Sequence, residues 1–170
     1  QLKLTVKRTV RAAARILTPS EFSRRSIIRA YGIDAERVVV VHNAVSNTFR
    51  PVHQDTAAHW VRQKFGIATP FVLTVGDLQP RKNHLGLIRA FEDLIRHYPQ
   101  LPHHLVMVGK ETWFGSTIRR AAQRSSLAGR IHFTGWVSDD ELRHFYGACD
   151  AFVFPSFYEG FGLPILEAMA

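Results

Sequence analysis

Cysteine is nearly absent. Cys149 is the single one in 170 residues, so no internal disulfide framework holds the chain together, and a reducing compartment suits it. It reads as a small apolar residue packed at the end of a helix. Long apolar runs are also missing. None approaches the ~18 residues that suggest a membrane span, and no charged-then-apolar signal segment opens the chain, so the expectation is a soluble, cytoplasmic protein, or one peripheral to the inner face of a membrane. Acids are scarce beside bases, with 14 Asp and Glu against 22 Lys and Arg and a formal charge of +8. That excess favours anionic partners: nucleic acid, acidic lipid or phosphorylated small molecules. The opening "KLTVKRTVRAAARI" has no acid at all, and Lys3, Lys7, Arg8, Arg11 and Arg15 stand at helical spacing. The stretch could lie on an anionic membrane surface, but a solvated helix face is the favoured reading. Nine histidines show no metal-ligand spacing, and His103 and His104 read as surface residues on a turn, so no metal is expected.

With 46% hydrophobic residues, 11 Gly and 8 Pro, the composition is that of one compact globular domain. Runs rich in β-branched residues recur: "VVVVH" (38–42), "FVLTVG" (71–76), "LVMVG" (105–109), "IHFTG" (131–135) and "DAFVFPS" (150–156) read as strands buried on both faces. Residues 83–98, 116–129 and 139–149 between them read as helices. Strand then helix, three times over, predicts a doubly wound α/β domain with a parallel, Rossmann-like sheet. "SDDE" (138–141) has capping-box spacing, and Asn83 reads as an N-cap. "TPSEFSRRSIIRAYG" reads as a strand end and a helix closed at Gly32, and residues 42–54 as a connector. Both ends look cut, which suggests a piece of something longer.

In an open parallel sheet, ligands sit beyond the carboxyl ends of the strands. Two junctions there are chemically unusual. In "TVGDLQPRKNH" the strand ends at Gly76, and Arg81 and Lys82 precede a helix start, which makes an anion site suited to phosphate. In "YEGFGLPILEA" Pro164 suits the first turn of a helix beginning near Leu163. Glu159 lies on the glycine loop and Glu167 one turn into the helix. A carboxylate repels phosphate, so both glutamates are better suited to accept from neutral hydroxyls. Hydroxyls flanking a phosphate describe a sugar phosphate or a nucleotide sugar.

"EGFGLPILEA" resembles the glutamate, seven residues, glutamate signature of glycosyltransferase family 4, the "group 1" glycosyl transferases of two-domain GT-B fold. "FVLTVGDLQPRKNHLGLIRAF", "LVMVGKETW", "IHFTGWVSDDELRHFY" and "DAFVFPSFYEGFG" match that family's donor-binding domain in order and spacing. The resemblance implies that residues 1–34 end an N-terminal acceptor domain and its crossover, and that 35–170 form a donor-binding domain truncated at its C-terminus. It assigns Glu159 to the transferred sugar and Glu167 to the ribose. Backbone amides of Gly160, Phe161, Gly162 and Leu163 would contact sugar and phosphate, Arg81 and Lys82 the diphosphate beside Gly76, and Trp136 and Val137 the nucleobase. The implied activity is a retaining, metal-independent transfer from a nucleoside-diphosphate sugar to an acceptor glycan or glycolipid held by the other domain, in polysaccharide biosynthesis. The fragment alone would be inactive. Asp77 stands where many members have arginine, so Arg81 is read as supplying that cation, and "HNAVSNTF" departs from the usual Pro-Asn-Gly-Val-Asp. "PRKN" with "VGK" and a tryptophan resembles the mannosyltransferase-like branch, which points to GDP-mannose.

Other classes fit less well. A retaining glycosidase would use two carboxylates ~5 Å apart but has no use for Arg81 and Lys82. A dinucleotide oxidoreductase needs G-x-G-x-x-G directly after a strand, and "GFGLPI" lacks the third glycine. A nucleic-acid-binding module would interleave aromatics with bases, whereas Trp60, Trp113 and Trp136 are scattered. A non-catalytic nucleotide- or nucleic-acid-binding Rossmann-like module remains the alternative.

Overall fold

The computed structural model describes residues 2–170, with side chains from Thr5 onward, so Gln1 and the Lys3 side chain of the basic opening lie outside the described residues. The chain forms two compact units instead of the expected single one, Gln1–Ala44 with Glu159–Leu163, and Val45–Tyr158 with Pro164–Ala170.

The first unit holds α1 (Leu2–Ala12), β1 (Ile16–Thr18), α2 (Glu21–Tyr31) and β2 (Val38–Val40). β1 and β2 pair in parallel, Ile16 opposite Val38 and Thr18 opposite Val40. Here the expectation for "VVVVH" fails. Val38 is buried, but Val39 and Val41 are 39% and 54% exposed, because this strand pairs with β1 in a sheet of two and not with the main sheet. Ser20 caps α2 by accepting from the Ser23 amide at 3.0 Å, and Gly32 ends the helix in the left-handed region at φ 61°. Arg37 donates to the carbonyls of Val10, Arg11 and Ala13, which satisfies the end of α1.

The second unit is doubly wound. β3 (Phe71–Val75), β4 (His104–Val108), β5 (Ile131–Gly135) and β6 (Ala151–Phe152) form a parallel sheet in the order β5-β4-β3-β6. The period-2 alternation sorts their side chains to two faces. Phe71, Leu73, Val106 and Val108 pack with Ala57 and Val61 of α3 (Gln54–Phe65) and with Leu142, Phe145 and Ala148 of α6 (Asp139–Ala148). Leu105, Met107 and Ile131 pack with Leu87, Ile88, Phe91 and Ile95 of α4 (His84–His97) and with Ile118 and Ala122 of α5 (Gly115–Arg124). At ~25 cal/mol per Å² of apolar area removed from water, these two layers dominate the stability of the unit. The last helix, α7, spans Leu163–Met169.

The capping box at Ser138 and Glu141 is present as expected. Several other expectations are corrected. The strand expected over 150–156 is shorter: Ala151 and Phe152 pair with β3, the Asp150 and Val153 amides donate to the Phe71 and Leu73 carbonyls, and the ladder goes no further. The helix expected over 116–129 stops at Arg124, and Ala128–Arg130 forms a separate 3-10 turn. α3 was not anticipated: it buries only Ala57 and Val61, which leaves a thin apolar stripe in the sequence. Asn83 stands at the N-cap position of α4 as expected, but it makes no side-chain capping bond: it sits at φ 57° and its Nδ2 donates to the Pro155 carbonyl at 3.2 Å. His103 and His104 are not free surface groups. His103 Nε2 lies 3.0 Å from Asp150, and His104 Nδ1 lies 2.8 Å from His132 Nε2 on the neighbouring strand. Cys149 behaves as expected: it caps α6, packs beside the core, and burial raises its thiol pKa to about 11.

Candidate functional site

The strand order locates the site in the larger unit. Chain progression runs β3 to β4 to β5, then jumps back so that β6 lies on the other side of β3. The loops leaving β3 and β6 therefore diverge from a topological switch point, where open α/β sheets bind ligands. On the same edge, glycine directly follows β3 and β4, as Gly76 and Gly109, and closes β5 as Gly135. Gly109 must be glycine, because a Cβ on it would come within 2.2 Å of the Gly76 carbonyl oxygen, and its φ is 155°. Asp77 Oδ1 accepts from the Lys110 amide at 3.1 Å, and Leu78 N donates to the Lys110 carbonyl at 2.9 Å. That contact gives Asp77 a structural task.

The turn after β3 is a 3-10 segment, Pro80–Lys82, running into α4. Arg81 Nη1 donates to the Tyr158 carbonyl at 2.7 Å, and the Phe157 amide donates back to the Arg81 carbonyl at 3.0 Å. With the Asn83 to Pro155 bond, three hydrogen bonds tie this turn to the segment after β6. The Lys82 stem crosses Gly76, where a Cβ would meet its Cδ and Cε at 3.0 Å, and its ammonium lies 4.9 Å from the centre of the Phe154 ring. The structure thus brings Gly76, Arg81 and Lys82 together.

Trp136 and Val137 follow β5. Val137 is buried in the core, while Trp136 is 66% exposed with the Lys110 ammonium 6.0 Å from its ring centre. Glu167 stands against α6, where its Oε2 accepts from the Tyr146 hydroxyl at 2.9 Å. It lines a cavity of about 280 Å³ with Phe49, Arg50, Val52, Arg143 and Tyr146. Burial raises the pKa of Glu167, and burial and the adjacent carboxylate raise that of Tyr146.

Glu159, Gly160, Phe161, Gly162 and Leu163 belong to the smaller unit. Both Ser20 and Ser23 donate their hydroxyls to the Gly160 carbonyl, the latter at 3.1 Å. The Phe161 ring centre is 6.0 Å from that of His42, and Gly162 holds φ 99°, which suits glycine. The serine anchor escaped the sequence reading; its signal was two serines three apart across a helix start. His84, Lys110 and Tyr146 were also missed. Among the described residues no group of three His, Cys, Asp or Glu could hold a metal ion, and no helix is long and apolar enough to cross a membrane.

Comparison with known proteins accounts for this arrangement. The family model described as Glycosyl transferases group 1 matches residues 61–170, and that described as Glycosyltransferase Family 4 matches residues 2–49. O-antigen chain mannosyltransferase B of Escherichia coli is 38% identical over 160 residues, which cover 94% of this chain and 42% of that protein. Mannosylfructose-phosphate synthase of Agrobacterium fabrum is 31% identical over 150 residues, covering 85% of this chain and 33% of that protein. The crystal structure of Anabaena HepE in complex with UDP and glucose superposes with a TM-score of 0.80 at 26% identity, over 99% of this chain and 45% of that one. The chain thus spans less than half the length of these relatives.

Proposed function

Because this chain belongs to the glycosyl transferases group 1 family, we propose that it is the donor-binding part of a retaining glycosyltransferase, with a nucleoside-diphosphate sugar as donor and an acceptor hydroxyl as nucleophile. The observation that carries the reading is the cationic turn Arg81–Lys82, tied by hydrogen bonds to the segment after β6 at the switch point of the sheet.

The roles follow from charge. As the bond to the anomeric carbon breaks, negative charge grows on the diphosphate oxygen. Arg81 and Lys82 oppose it with fixed positive charge, a stabilisation worth ~3 kcal/mol per donor at comparable sites. With two cations so placed, no divalent metal is required. Glu167 accepts from ribose hydroxyls and Glu159 from the sugar. The loop amides of Gly160 to Leu163 hold sugar and phosphate, and the backbone at Trp136 and Val137 meets the base. Attack on the face the leaving group vacates retains configuration without a stable glycosyl-enzyme.

Mannose is the favoured sugar, since relatives named for mannosyl transfer are similar over most of the chain, and GDP-mannose is the corresponding donor. Residues 1–34 would end the acceptor domain and 35–170 form the donor domain, with acceptor glycan or glycolipid bound outside this chain. Lys7, Arg8 and Arg11 on α1 offer a peripheral contact to anionic lipid at the inner face of the membrane. Calorimetry with GDP, UDP and ADP in chelator tests the core of this reading. Binding without divalent metal, strongest for GDP, is expected; heat released only with Mg²⁺, or sugar transfer by this chain alone, would overturn it.

A further inference from the structure

Beside the cationic turn, the larger unit carries an open cavity of about 300 Å³ to which the donor reading assigns nothing. Gln79 and Asn83 of the turn, Phe114 ahead of α5, Phe157 after β6 and Arg89 of α4 line it. The Phe157 ring is 75% exposed, although its amide is fixed by the Arg81 carbonyl at 3.0 Å. Phe114 packs edge-on against Trp113, which is itself 81% exposed. Large rings kept in water forgo the transfer free energy that burial would give them, so beside a cavity they mark a surface that meets a partner.

Polar groups converge on the same cavity. Asn83 spends Nδ2 on the Pro155 carbonyl and keeps Oδ1 as an acceptor. Its side chain lies against Gly86, where a Cβ would come within 2.4 Å of Oδ1 and displace it. No side-chain cap closes α4, so the first-turn amides at His84, Leu85 and Gly86, residues that all line the cavity, remain donors. His84 is 2% exposed, and its Nδ1 has no hydrogen-bond partner among the described residues. Buried polar groups ordinarily have one, so this nitrogen points to a partner from outside the chain. Aromatic rings with a few amide, guanidinium and backbone donors suit a pyranose, whose C–H face is apolar and whose rim is hydroxyl. The volume lies at the lower end for ligand pockets and fits one small ligand. We propose that this cavity is a hexose subsite and that it holds a sugar residue of the acceptor glycan. The donor sugar belongs to Glu159 in the reading above, on which the acceptor assignment rests.

The test is an NMR titration of backbone amides in the full chain, first with GDP and then with methyl α-mannopyranoside added to the GDP-containing sample, with inorganic phosphate as a separate arm. Saturable mannoside shifts are expected at Asn83, Leu85, Gly86 and Phe157, with a dissociation constant on the order of 1 mM for a ligand of this size. Phe157→Ala should weaken mannoside binding about tenfold and Arg89→Gln about threefold, while both keep GDP affinity within about twofold of wild type. Both side chains are exposed, so neither change threatens the fold, and melting temperatures check this. Mannoside shifts confined to the Glu159–Leu163 loop, shifts at the cavity with phosphate but not with the mannoside, or mannoside binding unaltered in both variants would overturn the inference. Cavity shifts with the mannoside but no response to GDP would overturn the donor reading alone and leave the hexose subsite standing.

Discussion

Two loops carry most of the proposed donor contacts, and they are held in opposite ways. The Gly76–Asn83 turn of the larger unit rests on buried groups: Leu78 and His84 are each 2% exposed beneath it. The Glu159–Leu163 loop of the smaller unit is fixed through hydroxyls of Ser20 and Ser23 on one carbonyl and through Phe161 against His42. A turn built on core residues keeps its geometry at the expense of core stability when it is altered. A loop held by a few polar contacts can be changed with small global effect. In the proposed reading, the two cations sit on the turn over the core, while the loop that would meet the sugar has the softer mount.

The sharpest way to probe the contrast is to remove the charges from the rigid turn. Arg81→Ala with Lys82→Ala should weaken diphosphate binding by ~3 to 5 kcal/mol and leave nucleoside binding nearly unchanged, since charge-assisted hydrogen bonds are worth ~1.5 to 3 kcal/mol each. Calorimetry with the matched ligands reads this directly, and equal losses would remove the cradle assignment.

The rigid turn should also report acid. The unfolded His84 titrates near its ordinary value of 6.5 and the folded one near 4, because burial and then the Lys82 charge favour the neutral ring, with Asp77 opposing them. A depressed folded pKa means that the unfolded state binds more protons in between. Stability from this group is therefore complete above pH ~6.5 and declines as pH falls toward ~4, by about 3 kcal/mol in all. The stability of wild type relative to His84→Gln, read from denaturant midpoints, should be level above pH ~6.5 and fall as pH drops toward ~4. Parallel curves would mean that His84 is not the group responsible.

The glutamates extend the comparison to the ligand. Glu167→Gln should weaken binding of the bare nucleoside diphosphate by ~1.5 to 3 kcal/mol. Glu159→Gln should spare that complex and remove only the added affinity of the attached sugar. Four binding curves, each variant with the nucleoside diphosphate and with its nucleotide sugar, separate the roles. Identical losses throughout would merge them.

The smallest effect belongs to the soft mount. Ser20→Ala removes both the cap of α2 and one donor to the Gly160 carbonyl, which should lower stability by ~1 kcal/mol. Thermal melting measures it. A loss several times larger would show that the two loops are anchored alike.

Much of the larger unit could be read from local chemistry alone. Runs of β-branched residues ending in Gly76, Gly109 and Gly135, helices with apolar stripes, and the Ser138–Glu141 cap are short-range signals that survive in any context. The charge pair before α4 and the glycine loop before α7 were likewise visible as residue types at fixed spacing. What tertiary structure alone decided were pairings between distant segments. Val38–Val40 has the composition of a buried central strand, yet it pairs with Ile16–Thr18 in a sheet of two, and this leaves Val39 and Val41 exposed. α3 buries too few residues to announce itself before it meets α6. Asn83 has the identity of a cap but takes a left-handed backbone, because its amide finds Pro155, 72 residues away. His84 carries no sign in the sequence that it will be buried, and Glu167 none that Tyr146 will bind it. Periodicity records which face of an element is apolar, but a hydrogen bond across the fold depends on where the chain returns, and that is set only when the layers pack.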